Sequence, residues 1–192
     1  MRKPFMVEFT GTPEAGKTTS IHHVFNEFGK EGYSVAICKE SAEKLPELIP
    51  KGTPDANLWM HYQTQAGLLK AQFIRADILL IDRGLVDSNF YGKKFLWEGT
   101  YTEQEYEEFR KQFNEHLFPD FLIALMVPPE VSIQRRGGEG RLVNTRYINA
   151  YNNYFMNYYD EIEIPKTLID TSKLTENEMA PKIYSVIKSK MP

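Results

Sequence analysis

The chain has 192 residues, of which 42% are hydrophobic and 26% are charged. This composition is that of one folded domain, residues 1–192, and excludes disordered and fibrous proteins. A formal net charge of −3 argues against binding to nucleic-acid polymers, and the short apolar run before Glu8 predicts neither a secretory signal nor a membrane span. We therefore expect a cytoplasmic protein without a nucleic-acid or membrane partner.

Short apolar runs alternate with longer helical patterns, which indicates βαβ units around a mainly parallel sheet in an α/β fold. The runs "ADILLID" and "DFLIALMV" are hydrophobic almost throughout, as in strands that are covered on both faces. The predicted strands are Pro4 to Thr10, Tyr33 to Lys39, Ala76 to Asp82, Phe121 to Val127 and Thr167 to Asp170. The first predicted helix starts within "GTPEAGKTT" and ends near "FGKEGY", and the others are Ala56 to Arg75, Leu85 to Leu96, Thr102 to His116, Pro129 to Arg135, Asn144 to Tyr159 and Glu176 to Lys188.

The stretch "FTGTPEAGKTTS" predicts a phosphate-binding loop between the first strand and the first helix. Glycines allow a tight turn that aims backbone N–H groups at one point, and the helix N-terminus adds partial positive charge. Lys17 is expected to reach the β and γ phosphates of a nucleotide, and the Thr18 hydroxyl to bind Mg²⁺. The residues expected to contact the nucleotide here are Gly11, Thr12, Glu14, Ala15, Gly16, Lys17, Thr18 and Thr19.

Two further carboxylates follow predicted strands. Asp82 ends the third strand in "ILLIDRG", and Glu40 follows the second in "AICKES". The carboxyl ends of parallel strands share one edge, where open α/β sheets bind ligands, so both are expected near the phosphate loop. Asp82 can hold Mg²⁺, Arg83 can hold a phosphate or polarise an acceptor, and Glu40 can accept a proton from a hydroxyl. Helix capping by Asp82 and plain solvation of Glu40 are the alternatives.

Four arginines surround a glycine-rich hinge in "QRRGGEGRLVNTR". A hinged loop can bring positive charge onto a moving phosphoryl group after substrate binds, so residues 135–146 are predicted to form a lid, with a basic surface loop as the alternative. Arg135 and Arg141 bracket the hinge and are the two predicted catalytic arginines of the lid. The helix that follows carries Tyr147, Tyr151, Tyr154 and Tyr158 on one face, which we interpret as a packing face.

A phosphate loop alone does not distinguish kinases, GTPases and motor-like ATPases. The sequence lacks the Asn-Lys-x-Asp pattern by which GTPases read guanine and the Leu-Ser-Gly-Gly-Gln signature of transporter ATPases. An NTP-binding switch or regulatory ATPase, and a kinase of another small alcohol, remain alternatives to a nucleoside or nucleotide kinase.

The chain resembles the deoxynucleoside kinase and thymidylate kinase group of P-loop kinases over nearly its whole length. The resemblance lies in "TGTPEAGKTT", "KES", "IDRG", "LWMHYQTQAGLLKAQF", "QRRGGEGR" and "LIDTSK". It implies a three-layer P-loop NTPase fold with strand order 2-3-1-4-5, an arginine lid, Mg-ATP as phosphoryl donor and a nucleoside or nucleoside monophosphate as acceptor. A homodimer formed through helices beside the sheet is also implied, with its interface expected at "LWMHYQTQAGLLKAQF" and "EYEEFRKQFNEHLF".

The resemblance assigns roles to individual residues. Glu40 would be the general base, Asp82 and Arg83 would hold the metal and the acceptor oxygen, and Arg135 and Thr171 would lie beside the donor nucleotide. Gln63 would face the nucleobase with Tyr62 packed near the ligand, although Gln65, Asp87 or Ser88 could take the base-facing position. Ser41 replaces the proline of the family motif, and Gly84 replaces its serine or tyrosine, so the acceptor pocket is expected to differ.

Overall fold

The computed structural model describes residues 3–140 and 143–192. Its strands form one parallel sheet with the order β2-β3-β1-β4-β5. The predicted fold class and strand order are therefore confirmed. The strands are β1 (Phe5–Gly11), β2 (Val35–Cys38), β3 (Ile78–Asp82), β4 (Phe121–Met126) and β5 (Lys166–Asp170).

The helices follow the predicted alternation with strands. They are α1 (Lys17–Lys30), α2 (Pro54–Gln72), α3 (Leu85–Trp97), α4 (Glu103–Arg110), α5 (Pro129–Arg136), α6 (Thr145–Glu161) and α7 (Glu176–Lys188). Short 3₁₀ turns lie at Ala42–Lys44 and Glu115–Leu117.

The end predicted for α4 was wrong. The helix stops at Arg110 instead of continuing to His116. Asn114 has an extended backbone, and its side-chain oxygen accepts a hydrogen bond from the His116 N–H at 3.1 Å. Such local side-chain bonds compete with the helix. The start was predicted correctly, because Thr102 and Glu105 form both hydrogen bonds of a capping box.

Helices cover both faces of the sheet. On one face, α1 and α7 contribute Phe28 and Ile183 to a core that includes Phe9 of β1 and Leu125 of β4. On the other face, α3 and α6 contribute a second core. Tyr151 and Tyr158 are buried there, and Tyr147 and Tyr154 pack against it, so the predicted packing face of α6 is confirmed.

Two helical glycines provide a matched test of packing. A Cβ on Gly92 of α3 would lie 2.4 Å from Cε1 of Phe109 in α4, whereas a Cβ on Gly29 of α1 would meet nothing within 4 Å. We expect Gly92→Ala to lower the free energy of unfolding by about 1–3 kcal/mol through overpacking. Gly29→Ala should raise it by about 0.5–1 kcal/mol, because alanine favours the helix. Urea unfolding of both variants checks this, and a stabilised Gly92→Ala protein would contradict the close approach.

The surface of α2 bears on the predicted homodimer. Leu69, Phe73 and Ile74, near its C-terminal end, are 44%, 76% and 50% exposed, and they lie beside or within the segment expected at an interface. The homodimer itself stays a prediction. No helix in the described ranges has both the length and the apolar character needed to cross a membrane.

Candidate active site

The predicted phosphate loop joins β1 to α1 with an unusual backbone. Gly11 and Gly16 have φ angles of 118° and 89°, and Glu14 has a positive φ of 59°. A Cβ on Gly11 would lie only 2.0 Å from the carbonyl oxygen of Leu125. Glycine is therefore required at position 11 both by its conformation and by the neighbouring strand.

The N-terminus of α1 is suited to an anion. Its N-cap residue, Gly16, provides no side-chain hydrogen bond, and the first turn contains no acidic residue. The first N–H groups of a helix have no acceptor within the helix, and the helix dipole adds positive charge at this point. A phosphate group placed here would supply the missing acceptors.

Lys17 is buried at the start of α1 and turns back onto the loop. Its Nζ donates to the carbonyl oxygens of Thr12 at 2.7 Å and Gly11 at 3.1 Å. Burial, together with the charge of Arg83, lowers the pKa of Lys17 to about 7. An anionic ligand would favour the charged ammonium, so the loop and its lysine form a site whose electrostatics improve when phosphate enters.

Thr18 and Asp82 meet below the loop. The Thr18 hydroxyl donates to Oδ2 of Asp82 at 2.8 Å. The other oxygen of this buried carboxylate, Oδ1, has no hydrogen-bond partner among the described residues. Buried polar atoms are normally paired, so this oxygen is available to a ligand such as a cation. A hydroxyl and a carboxylate are oxygen donors of the kind that Mg²⁺ prefers.

Arg83 is held between two carboxylates. Its Nε lies 3.3 Å from Oε1 of Glu40, and its Nη1 lies 3.2 Å from Oδ1 of Asp87. The Thr10 hydroxyl donates to the same Asp87 oxygen. Burial opposes the charge, but Asp87 and Glu40 raise the pKa of Arg83 well above its ordinary value. The guanidinium therefore remains charged and fixed beside Glu40.

Glu40 follows β2 and reaches this cluster because β2 and β3 are neighbours. Its side chain is 38% exposed, so it can meet a ligand. Burial raises the pKa of Glu40, and the positive charge of Arg83 opposes part of that increase. The structure thus brings Glu40, Asp82 and Arg83 together with Lys17 and Thr18, while the roles assigned to them stay predictions.

The lid arginines are placed differently. Arg135 donates to the Thr171 carbonyl oxygen at 2.6 Å, to its hydroxyl at 3.2 Å and to the Glu14 carbonyl oxygen at 3.3 Å. Thr171 is fully buried and donates to the carbonyl of Ala15 at 3.0 Å. Arg135 and Thr171 therefore brace the loop between β1 and α1 through the carbonyls of Glu14 and Ala15. The predicted catalytic residue Arg141 lies outside the described residues.

The remaining loop residues divide by exposure. Thr12 and Ala15 are fully buried, and the Thr12 hydroxyl donates to Oδ1 of Asn152 at 2.8 Å. The Thr12 side chain therefore anchors the loop to α6. Thr19 and Glu14 are exposed.

The α2 residues expected near a nucleobase are not held in the Arg83 cluster. Tyr62 and Gln63 are exposed, and the Tyr62 hydroxyl donates to Gln112 beyond α4 at 2.8 Å. Gln65 is bonded to the main chain of Gln112 and Asn114. The turn of α2 that faces the Glu40 loop instead presents Thr64, whose hydroxyl lies 3.2 Å from that of Ser41.

Sequence reasoning missed three residues of this region. Glu8 and Thr10 of β1 are fully buried, and Asn152 of α6 donates to the Val127 carbonyl at 2.9 Å. Burial raises the pKa of Glu8 to about 8. For Glu8 the available signal was a single acid inside the mostly apolar strand "FMVEFTG", because a charged residue is rarely buried without a partner.

No protein-family model and no curated protein matches the chain. Among solved structures, a deoxyadenosine kinase from M. mycoides, with the products dCMP and a flexible dCDP bound, is similar. The TM-score is 0.73 at 19% identity, over 96% of this chain and 99% of that chain. The likeness is one of fold. The same enzyme with bound dCTP gives a TM-score of 0.72 at 19% identity and the same coverage of both chains. The chain thus has the fold of a deoxynucleoside kinase-like P-loop kinase.

Proposed function

We propose that the protein transfers the γ-phosphoryl group of Mg-ATP to a hydroxyl of a nucleoside. The observation that carries this proposal is the 3.3 Å pair of Glu40 and Arg83 at the edge of the sheet where Lys17 and the phosphate loop also lie. In this position the carboxylate can accept the proton of an attacking hydroxyl, and the arginine beside it can hold the hydroxyl oxygen. The fold shared with two deoxyadenosine kinase structures supports a nucleoside as the acceptor class.

The residues suggest a division of labour during transfer. Glu40 accepts the proton of the acceptor hydroxyl, whose oxygen then bonds to the γ phosphorus. The bond between the γ phosphorus and the β–γ bridging oxygen breaks, and ADP leaves. Lys17 exchanges its carbonyl acceptors for β and γ phosphate oxygens, and Arg83 holds the acceptor oxygen near Glu40. Arg135 braces the phosphate loop, and Arg141 would add charge from the lid.

Thr18 and Asp82 would hold Mg²⁺ together with the nucleotide phosphates. The fit rests on the unpaired, buried Oδ1 of Asp82 beside the Thr18 hydroxyl. In the described residues no group of three or more His, Cys, Asp or Glu side chains could hold a metal alone, so nucleotide phosphates and waters would supply the other ligands. Bound there, the ion would neutralise charge on the β and γ phosphates.

Thr18→Val keeps the shape of the side chain but removes the hydroxyl. We expect the Mg²⁺ concentration for half-maximal rate to rise on the order of tenfold, because Mg²⁺ loses the Thr18 hydroxyl as a ligand but keeps Asp82. A Mg²⁺ titration of the steady-state rate measures this. Thr100→Val, in an exposed turn after α3, is the control and should match the unsubstituted protein. An unchanged Mg²⁺ requirement in Thr18→Val would contradict the assignment.

The proposed function is tested by ADP formation from Mg-ATP against nucleosides, nucleoside monophosphates and small alcohols, with Lys17→Ala as the blank. Stimulation by a nucleoside is the expected result. If only a nucleoside monophosphate or another alcohol stimulates ADP formation, that compound class is the acceptor instead of a nucleoside. ADP formation at one rate with and without every acceptor would indicate a regulatory ATPase and overturn the proposal.

A further inference from the structure

Glu8 caps a helix that it does not belong to. It lies in the central strand β1, and its side chain is fully buried. Its Oε1 accepts the Asp87 N–H at 2.8 Å, and its Oε2 accepts the Val86 N–H at 3.1 Å. These N–H groups belong to the first turn of α3, where a helix provides no acceptor of its own. The N-cap residue of α3, Gly84, contributes no side-chain hydrogen bond, so the strand supplies the cap.

The carboxyl group of Glu8 occupies the space that a side chain at position 84 would need. A Cβ on Gly84 would lie 2.4 Å from Oε2 of Glu8 and 2.9 Å from Cγ2 of Ile81. Such distances are shorter than any carbon contact that a folded protein accepts without a shift. Glu8 and Ile81 therefore leave no room for a side chain at position 84, so the departure of Gly84 from the family motif has a physical cause.

This pair is joined directly to the candidate active site. Arg83 precedes Gly84 and has a positive φ of 56°, which is an uncommon backbone for arginine. Asp87, whose N–H is bonded to Glu8, forms the ion pair that holds the Arg83 guanidinium. Thr10, two residues after Glu8 in β1, donates its hydroxyl to the Asp87 oxygen that also pairs with Arg83. A displacement of the α3 N-terminus would thus move Arg83 at its backbone and at its side chain.

We propose that Glu8 and Gly84 form an interlocked pair that sets the position of Arg83 beside Glu40, with Glu8 acting as a positioning residue for acceptor phosphorylation. The reading of Arg83 as an acceptor-binding group rests on the proposed function. The interlock itself rests on the contacts of Glu8 alone. Its signature is that a change at either position is harmful alone and is relieved by a matching change at the other.

The test is a double-mutant cycle with Gly84→Ser, Glu8→Ala and the combined variant. Each single change should lower kcat/KM for the acceptor by at least about tenfold while the KM for ATP stays within about twofold, because a small misplacement of one catalytic-site group is enough. In the combined variant the two shortest contacts, with Oε2 and Cδ of Glu8, are gone, and only the Cγ2 methyl group of Ile81 must shift to admit the serine Cβ. The serine can then cap α3 itself, as serine does at helix N-termini. The kcat/KM of that variant should exceed that of Gly84→Ser at least about fivefold through this coupling. If the loss of kcat/KM in the combined variant equals the product of the losses in the two single variants, the interlock is overturned.

A readout without turnover separates this proposal from the proposed function. The Nε–Hε NMR resonance of Arg83, assigned by its loss in Arg83→Lys, should be single and sharp in the unsubstituted protein and the combined variant. It should be broadened or shifted in both single variants. If it behaves so while no acceptor is phosphorylated, the proposed function fails and the interlock stands. An unchanged resonance in folded single variants that have lost activity would overturn the positioning role.

Glu8→Gln guards against a single variant that does not fold. The amide keeps the shape of the carboxyl group but replaces one of its two oxygens with an NH₂ group, which cannot accept the N–H of Val86 or Asp87. It should therefore fold and lower acceptor kcat/KM less than Glu8→Ala, with an intermediate shift of the Arg83 resonance. Activity and resonance both identical to the unsubstituted protein would overturn the proposal.

Discussion

Replacing Lys17 with methionine is expected to lower the rate of phosphoryl transfer on the order of 10³-fold, because positioned charge at the moving phosphoryl is lost. Initial rates of ADP formation at saturating acceptor measure this. The control is Lys30→Met, at the other end of the same helix, where the side chain is 70% exposed. Lys30→Met should keep the full rate, and a Lys17→Met protein with more than a tenth of it would contradict the role.

The same variant should change the pH dependence of stability. The pKa of Lys17 is about 7 in the folded protein and 10.5 as an ordinary lysine, so between these values the unfolded chain binds more protons. Stability contributed at this site is therefore present at high pH and is lost as the pH falls through that window. Urea unfolding at several pH values should show a stability that rises with pH more steeply in the unsubstituted protein than in Lys17→Met. Equal slopes would contradict the buried ammonium.

Replacing Glu40 with glutamine is expected to lower kcat by about 10²–10⁴, the range for loss of a general base. ATP binding should be retained, because the phosphate loop is untouched and the amide preserves the size of the side chain. Rates and nucleotide affinity are measured in parallel, with Glu47→Gln in the exposed loop that follows as the control. A kcat within about threefold of the unsubstituted protein would exclude Glu40 as the base.

The pH dependence of the rate provides a second test of Glu40 as the base. Burial raises the pKa of Glu40 and the Arg83 charge opposes that increase, so removing the charge must raise the pKa further. The rate rises with pH as the base loses its proton, so the acid limb should move to higher pH in Arg83→Met. A limb that moves to lower pH would mean that another group controls it.

The sheet and the phosphate loop were predictable because their signals are local. Apolar runs such as "ADILLID" become strands whatever their partners, and the spacing of Gly11, Gly16 and Lys17 specifies a turn and a helix start. The meeting of Glu40 and Asp82 followed from one rule about parallel strands, which holds once the strand order is known.

The remaining features depend on contacts between residues far apart in the chain, which no local pattern in the sequence indicates. Arg135 donates its hydrogen bonds to the carbonyl oxygens of Glu14 and Thr171. The side-chain cap of α3 comes from Glu8, which is far away in the chain. A comparison of motifs also could not show which side of α2 faces the candidate site. The sequence offered Gln63 and Gln65 as equivalents, whereas the fold exposes the first and bonds the second to the segment after α4.

The most direct measurement of the central claim is a single-turnover reaction with ATP labelled at the γ-phosphate and a panel of nucleosides, comparing the unsubstituted protein with Glu40→Gln. The account predicts that label passes to a nucleoside hydroxyl in the unsubstituted protein. In Glu40→Gln the label should remain on ATP, which still binds. Label released only as inorganic phosphate, at one rate in both proteins and with every nucleoside, would contradict the claim.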